Sequence, residues 1–301
     1  MVSIYVLMIV FLITFLVAAA VGRSWFHRRL RRPELLRQVS LGVGGTLLVT
    51  NLACFLLEAT PFWRTANFTA TVGGLAALGV VMTALRTGGV PARQPRRVLA
   101  IGAHPDDLEL ACGGTLAKFV DSGHEVQGLV MSDGKRGGDA LERSLDAQRG
   151  AAFMGLTGMA HHNFTDTELN RHSQEMVGVI EAAIARYNPD IILTHSNHDQ
   201  HQDHQAVHQA TLRAARQHHS ILCYESPSAT REFNPSVFVD IDDYMDAKVQ
   251  AVKMHSDQLT KPYMTPERVR GIASFRGGQA RRRVAEAYEP IRLLNTELEK
   301  L

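Results

Sequence analysis

Two short segments concentrate the residue types that could do chemistry. The first is AHPDDLELACGGTLAKF (103–119), where His104 is followed within three residues by the adjacent carboxylates Asp106 and Asp107. Neighbouring like charges repel, and burying them is expensive unless a proton or a cation compensates. A divalent metal held by His104 and Asp107 supplies that compensation and leaves Asp106 off the metal. A metal-free alternative is a carboxylate cap on a helix beginning at Leu108, but a cap needs one carboxylate, not two and a histidine. The second segment is HSNHDQHQDHQAVHQA (195–210), in which His195, His198, His201 and His204 recur every third residue, with Asp199 and Asp203 between them. A hydrolytic zinc site uses three protein ligands and keeps a position open, so the five histidines from His195 to His208 cannot all bind one ion. If a helix starts at Asp203, His204 lies in its first turn and His201 just ahead of it. One imidazole then reaches the metal and the other the substrate, with Asp203 orienting whichever lies beside it. A histidine-rich surface tract with adventitious metal affinity is the bland alternative.

The elements around these segments suit a buried site. VLAIGA (98–103) is an apolar run of strand length that ends at His104, and Leu108 to Ser122 has helical spacing. A strand at 125–133, a helix at 140–154, a helix at 173–187 and a strand at 191–196 follow. The chain then reads as helix from Asp203 to His218, strand at 221–226 and helix from Asp243 to Gln258. Strands alternating with helices of this length predict a Rossmann-like, mostly parallel α/β sheet with helices on both faces. Ligands of such sheets bind beyond the carboxyl ends of the strands, where His104 and His195 both fall.

The first third of the chain is of another kind. Ser3–Val21, Leu41–Leu57 and Thr65–Leu85 carry no charge, and the first is close to the ~20 residues that cross a bilayer as helix. A secretory signal peptide competes for the first run, but Met1-Val2-Ser3 lacks its positive charge. The second run is short and contains Asn51, so the number of spans depends on whether it inserts. Six arginines follow the first run (Arg23, Arg28, Arg29, Arg31, Arg32, Arg37), Arg64 alone separates the second from the third, and four follow the third (Arg86, Arg93, Arg96, Arg97). The positive-inside rule then puts the N-terminus outside and everything after Arg86 in the cytoplasm. The expected organisation is a membrane domain over 1–87, a Pro/Gly-containing linker over 88–96 and a catalytic domain over 97–301.

Composition narrows the function classes. Lys+Arg number 32 against Asp+Glu 30, which argues against a nucleic-acid binder. Three scattered cysteines exclude a disulfide framework and a thiolate zinc site. There is no H-E-x-x-H helix and no G-x-S-x-G, so neither a thermolysin-type site nor a serine-hydrolase elbow fits.

The run His104-Pro105-Asp106-Asp107-x-Glu109, with Gly113 to Ala117 after it and His201-Gln202-Asp203-His204 about a hundred residues on, resembles the LmbE-like (PIG-L) family of zinc-dependent de-N-acetylases. The likeness covers roughly Arg97 to Gln258 and does not extend to the apolar runs. It implies His104, Asp107 and His204 as ligands of Zn2+ or another divalent metal, and Asp106 as general base on the activated water. It also implies that His201, oriented by Asp203, assists at the oxyanion or leaving amine. Arg143 and His255 fall where family members contact the sugar, although Asp146 replaces a glutamate of the R-x-x-E pattern and Asp257 a serine of the late H-x-x-Q element. The expected substrate is an N-acetylglucosamine-type sugar or a glycolipid of the bilayer, with oligomeric state left open. The alternatives are a metal-binding membrane module without catalysis and a hydrolase of a non-sugar acyl amide.

Overall fold

The computed structural model describes residues 2–294, so 295–301 of the expected catalytic domain lie outside the described residues. The chain divides into two compact units, Met1–Thr87 and Gly88–Leu301.

The first unit is helical: α1 (Val2–Val21), α2 (Arg23–Arg29), α3 (Pro33–Leu56) and α4 (Pro61–Ala84). α1, α3 and α4 are long and apolar enough to cross a membrane. Leu7, Phe11, Val49 and Val80 are exposed on them. α3 and α4 begin earlier than the uncharged runs suggest, each with proline at its start, where the missing N–H costs nothing. Charges in their first turns hide that extension from a hydropathy reading. Arg37 is accommodated because its guanidinium donates to Ala19 O (3.0 Å) and Ala20 O (2.9 Å), free carbonyls at the end of α1. Gly44 lets α3 approach α1 closely, since a Cβ there would lie 2.9 Å from Leu16 Cδ2. Asn51 Nδ2 donates to Thr71 Oγ1 at 2.8 Å and ties α3 to α4.

The second unit runs β1 (Arg97–Gly102), α5 (Asp107–Asp121), β2 (Glu125–Ser132), α6 (Ala140–Met154), β3 (Gly158–Phe164), α7 (Ser173–Tyr187), β4 (Ile191–His195), α8 (Gln202–Ala214), β5 (Ile221–Tyr224), β6 (Val237–Asp240), α9 (Met245–Val252), α10 (Pro266–Gln279) and β7 (Ala285–Arg292). The sheet order is β3-β2-β1-β4-β5-β7-β6. The first five strands are parallel and β7 is antiparallel to both neighbours. Successive β1 residues point to opposite faces, so Val98 and Ala100 join one core cluster and Leu99 and Ile101 the other. The strand order reverses between β1 and β4, and the crevice at that switch point receives the loops after both strands.

The antiparallel end of the sheet departs from a purely alternating reading. β7 carries Glu286, Glu289 and Pro290, which break any apolar run. Glu286 is nonetheless buried, because it accepts from Gly114 N (3.0 Å), Thr115 N (2.7 Å) and Lys248 Nζ (2.5 Å). Those two amides are exposed by a break in α5 at Cys112. β3 (GMAHHNF) is a half-buried edge strand with no clean period. α8 stops at Ala214 rather than His218, and α9 covers only Met245–Val252 of the expected 243–258 stretch, with a short 3-10 turn at Ser256–Gln258.

Candidate metal centre and active site

The chain leaves β1 at Gly102 and turns sharply into α5, so His104, Asp106 and Asp107 sit in one tight corner. Asp107 Oδ2 accepts from Ala103 N (2.9 Å) and His104 N (2.6 Å), which locks the carboxylate against the turn. Asp106 occupies the N-cap position of α5 but makes no capping bond. Its Oδ1 instead takes Arg143 Nη2 at 2.9 Å, and Arg143 Nη1 donates to Gly134 O at 2.6 Å. Both partners are buried. Asp106 is therefore off the candidate ligand set yet not free, and Arg143 is an internal residue of α6 rather than an exposed one.

From β4, the second segment delivers His204 in the first turn of α8, with His201 as its N-cap. His104, Asp107 and His204 form a buried group whose ligating atoms lie within 4.8 Å of one another. His204 Nε2 stands 3.3 Å from both His104 Nδ1 and Asp107 Oδ1, and His104 Nδ1 is 3.4 Å from Asp107 Oδ2. A tetrahedron with metal–ligand bonds of about 2.0–2.1 Å has edges of about 3.3–3.4 Å, which the His104–His204 separation matches, while each imidazole meets a different oxygen of Asp107.

Each imidazole is turned by a carboxylate behind it. His204 Nδ1 bonds Asp199 Oδ2 at 2.8 Å, leaving the Nε2 lone pair for a metal. Asp199 is fixed in turn by Ser226 Oγ, by Ser228 Oγ (2.6 Å) and by His201 N (2.9 Å). His104 Nε2 faces Asp203 Oδ2 (3.2 Å) and Asp166 Oδ1 (3.3 Å), leaving Nδ1 for the same ion. This pairing of carboxylate, histidine and metal sets tautomer and ring orientation together.

Asp203 thus serves His104, not His201. Its carboxylate is held by Thr167 N (2.7 Å) and Leu169 N (3.1 Å), which draw it away from the neighbouring histidine. His201 meets Asp203 through the backbone instead: Asp203 N donates to His201 Nδ1 at 3.2 Å. An accepting Nδ1 places the proton of the neutral ring on Nε2, the nitrogen left for the cavity. Burial, followed by the charges on His204 and His104, holds the His201 pKa below its ordinary value, so the neutral donor form prevails at pH 7.

Two other groupings are geometrically able to hold a cation, His104/His201/Asp203 and His195/Asp199/His204. Their side chains are otherwise engaged. His201 Nδ1 and Asp203 are held by backbone N–H groups, and Asp199 by two serine hydroxyls. His195 is buried beneath His204 with ring centroids 3.9 Å apart, its Nε2 3.0 Å from Ala103 N and 3.1 Å from Asp107 Oδ2. Burial pushes its pKa down to about 4.

His255 does not reach the cavity. It is fully buried against Glu109, 3.5 Å from Oε2, because the turn after α9 folds inward, whereas the resemblance implies a contact with the sugar. Asp146 anchors that turn by accepting from Ser256 N (2.9 Å) and Ser256 Oγ (3.0 Å). The cavity itself is about 310 Å³ and is bounded by the candidate ligands, Asp106, Arg143, His201 and the side chains of Leu110, Lys261 and Tyr263. Burial, followed by the Asp106 charge, pushes the Tyr263 hydroxyl up to about 12, so it stays protonated and can donate. Sequence reasoning gave no role to Asp166, Asp199, Ser226, Lys261 or Tyr263. Only Asp199 had a signal, as a carboxylate inside the histidine run.

Comparison with known proteins bears directly on this arrangement. The family described as GlcNAc-PI de-N-acetylase (PIG-L) matches residues 99–215. The uncharacterized deacetylase YaiS of Escherichia coli (strain K12) is 36% identical over 171 residues, covering 54% of this chain and 92% of that protein. This chain belongs to the PIG-L family. The diacetylchitobiose deacetylase of Thermococcus kodakarensis is 30% identical over 231 residues, 65% of this chain and 83% of that protein. The fold also matches the N,N'-diacetylchitobiose deacetylase of Pyrococcus horikoshii solved with an inhibitor, at TM-score 0.57 and 22% identity over 68% of this chain and 90% of that one. The PIG-L matches identify the chain as a deacetylase, an amide hydrolase acting on N-acetyl groups, and the His/Asp cluster is its candidate metal centre.

The carboxylate behind His104 can be tested on its own. Asp203→Asn keeps an oxygen for Thr167 N and removes the charge facing His104. It is expected to weaken metal binding by about 10–100-fold, read by competition with a chelating dye. Unchanged affinity would mean that Asp166 alone orients His104.

Proposed function

We propose that the chain is a membrane-anchored, zinc-dependent deacetylase that hydrolyses the N-acetyl group of an N-acetylglucosamine-type sugar or glycolipid. Residues 1–87 anchor it, 88–96 link, and 97–301 form the catalytic domain, facing the cytoplasm with the N-terminus outside. His104, Asp107 and His204 hold the metal, Asp106 is the general base, and His201 donates to developing charge. The observation that carries this reading is the buried His104, Asp107 and His204 group, whose ligating atoms lie within 4.8 Å of one another, with Asp106 and His201 lining the same cavity.

The bound zinc would polarise the acetyl carbonyl and bring the pKa of water it coordinates from 15.7 to about 7. Asp106 Oδ1 is occupied by Arg143, so Oδ2 is the oxygen that accepts the proton of the attacking water. His201 Nε2–H donates to the oxygen that gains charge as the new C–O bond forms. The C–N bond then breaks, the proton returns from Asp106 to the departing nitrogen, and acetate and a free amine leave. Leu110 and Tyr263 give the wall an apolar and aromatic side suited to a sugar ring and its methyl group.

The test is mass spectrometry of sugar and lipid extracts incubated with the zinc-loaded full-length protein. Loss of an acetyl group from an amino-sugar species, absent after chelation, is the expected result. Acetyl loss confined to non-sugar amides, or none in any extract, would overturn the substrate assignment.

A further inference from the structure

A second cavity of the second unit, about 630 Å³, is lined by a set of residues separate from those around the metal centre. α5 begins beside the candidate ligands, and Lys118, Phe119 and Ser122 at its far end form one wall. The other walls are the linker (90–93), β6, and Ala280 and Arg282 from the turn before β7. The linker is pinned where Ala92 N donates to Ser122 O at 2.8 Å. The turn is fixed by Arg281 in a left-handed conformation (φ 56°) and by Arg282 N donating to Gly277 O at 2.8 Å.

Three cations, Arg93, Lys118 and Arg282, face this cavity against one carboxylate, Asp240. Arg93 is exposed and has no partner among the described residues. Lys118 Nζ donates to Asp240 O (2.8 Å), a carbonyl that leaves the charge uncompensated. Arg282 Nε is 3.5 Å from Asp240 Oδ2 across an exposed pair, which contributes little. The carbonyls at the end of α5 do not compete for these cations, because Phe119 O, Val120 O and Ser122 O accept from His124 N, Gly123 N and Ala92 N. His124 adds a neutral donor: its Nδ1 accepts from Arg96 N (2.9 Å), which leaves the proton on Nε2. Beside these polar groups stand Phe119, Phe238 and Val90, the last 82% exposed. Val90 is the sixth residue after Ala84, the end of an α4 long and apolar enough to cross a membrane. Six residues of extended chain reach at most about 22 Å, so the Val90 wall stays beside the headgroups of any bilayer that α4 crosses.

We propose that this cavity binds the phosphate headgroup of an anionic phospholipid of the anchoring bilayer, with Arg93, Lys118 and Arg282 around the phosphate and Val90 against the glycerol esters. The proposal rests on the membrane-anchor reading and is independent of deacetylation: the lipid is a structural ligand and is not turned over. Guanidinium groups offer planar forks of donors to phosphate oxygens, and the ammonium adds a compact charge that rotates to meet them. The exposed valine favours a lipid over a bare phosphate, which has no apolar part to cover it. Arg93 comes from the linker and the other two cations from the body of the domain, so one phosphate fastens the linker to that body.

The experiment uses the zinc-loaded full-length protein in detergent with equimolar dioleoylphosphatidylglycerol (anionic) and dioleoylphosphatidylcholine (zwitterionic). Native mass spectrometry counts which lipid is retained. The anionic lipid is expected in about tenfold or greater excess, at about fivefold per cation. Arg93→Gln, at an exposed linker position that does not threaten the fold, is expected to lower that excess about fivefold. The triple variant Arg93→Gln, Lys118→Gln, Arg282→Gln is expected to abolish it, and Arg93→Lys with Arg282→Lys to keep it. Removing three exposed charges elsewhere (Arg171→Gln, Arg231→Gln, Lys253→Gln) is expected to leave it unchanged. Equal retention of the two lipids by the unaltered protein would overturn the site. So would a preference that survives the triple variant, or one lost as fully in the charge control. Displacement of the lipid by equimolar sn-glycerol 3-phosphate would assign the cavity to a soluble phosphate ester and overturn the lipid. The anchor is scored separately: release of the chain from membranes by alkaline carbonate would overturn the membrane reading. A carbonate-resistant chain without lipid preference would overturn the site alone.

Discussion

Asp106→Asn is expected to lower kcat by about 10²–10⁴-fold while the protein keeps its metal. The substitution preserves shape and leaves an oxygen for Arg143 Nη2, but an amide cannot take a proton from water. The donor triangle of His104, Asp107 and His204 does not include Asp106, so metal content measured by elemental analysis should be unchanged. Arg143 is buried and loses its counter-charge, so some loss of stability accompanies the variant and a melting curve must show that the fold persists. Asp106→Ala removes the bond as well and is expected to cost more, approaching the ~3–5 kcal/mol typical of a buried pair broken from one side. An Asn variant that retains metal and near-full turnover would remove Asp106 from the chemistry. A variant that loses its metal would place it among the ligands.

The sequence already exposes the half of this centre that lies in continuous segments. Asp106 and Asp107 after a strand, and His201 with His204 at a helix start, are local patterns, and β1, α5 and α8 fall where apolar spacing puts them. Positions that depend on long-range folding stay hidden. Asp166 comes from a loop after β3, and Ser226 and Ser228 from the loop after β5, yet they hold His104 and Asp199. Nothing in the run Phe164 to Thr167 marks Asp166 as anything but a turn residue. His255 shows the converse failure. A motif supplies the residue, but only the fold decides which way it faces, and here it faces Glu109. The resemblance pairs Asp203 with His201, whereas its carboxylate faces His104 here, for a related reason. Sequence proximity favours His201, whereas the backbone amides of Thr167 and Leu169 pull the carboxylate towards His104.

The affinity of the centre for its metal is expected to climb steeply from about pH 6 to about pH 9. Without a metal, the buried carboxylates around the two imidazoles keep them charged. Burial itself opposes this, but Asp107 and Asp199 raise the His204 pKa to about 9, and Asp107, Asp166 and Asp203 hold His104 well above its ordinary value. Asp107 is ionised throughout, its pKa held well below the usual carboxylate range by the histidines around it despite its burial. A cation must therefore displace protons from the imidazoles and none from the carboxylate. Each displaced proton contributes about tenfold in apparent affinity per pH unit, so two give up to about a hundredfold while both rings are charged in the free protein. The slope falls as pH passes the His204 pKa, because that ring is then already neutral. Competition with a chelator of known affinity at several pH values gives the slope, and calorimetry in buffers of different ionisation enthalpy counts the protons directly. Asp199→Asn removes one carboxylate from His204 and should move the bend in the curve to lower pH. A flat profile between pH 6 and 9 would mean that the imidazoles are already neutral, and that the acidic surroundings act on their orientation alone.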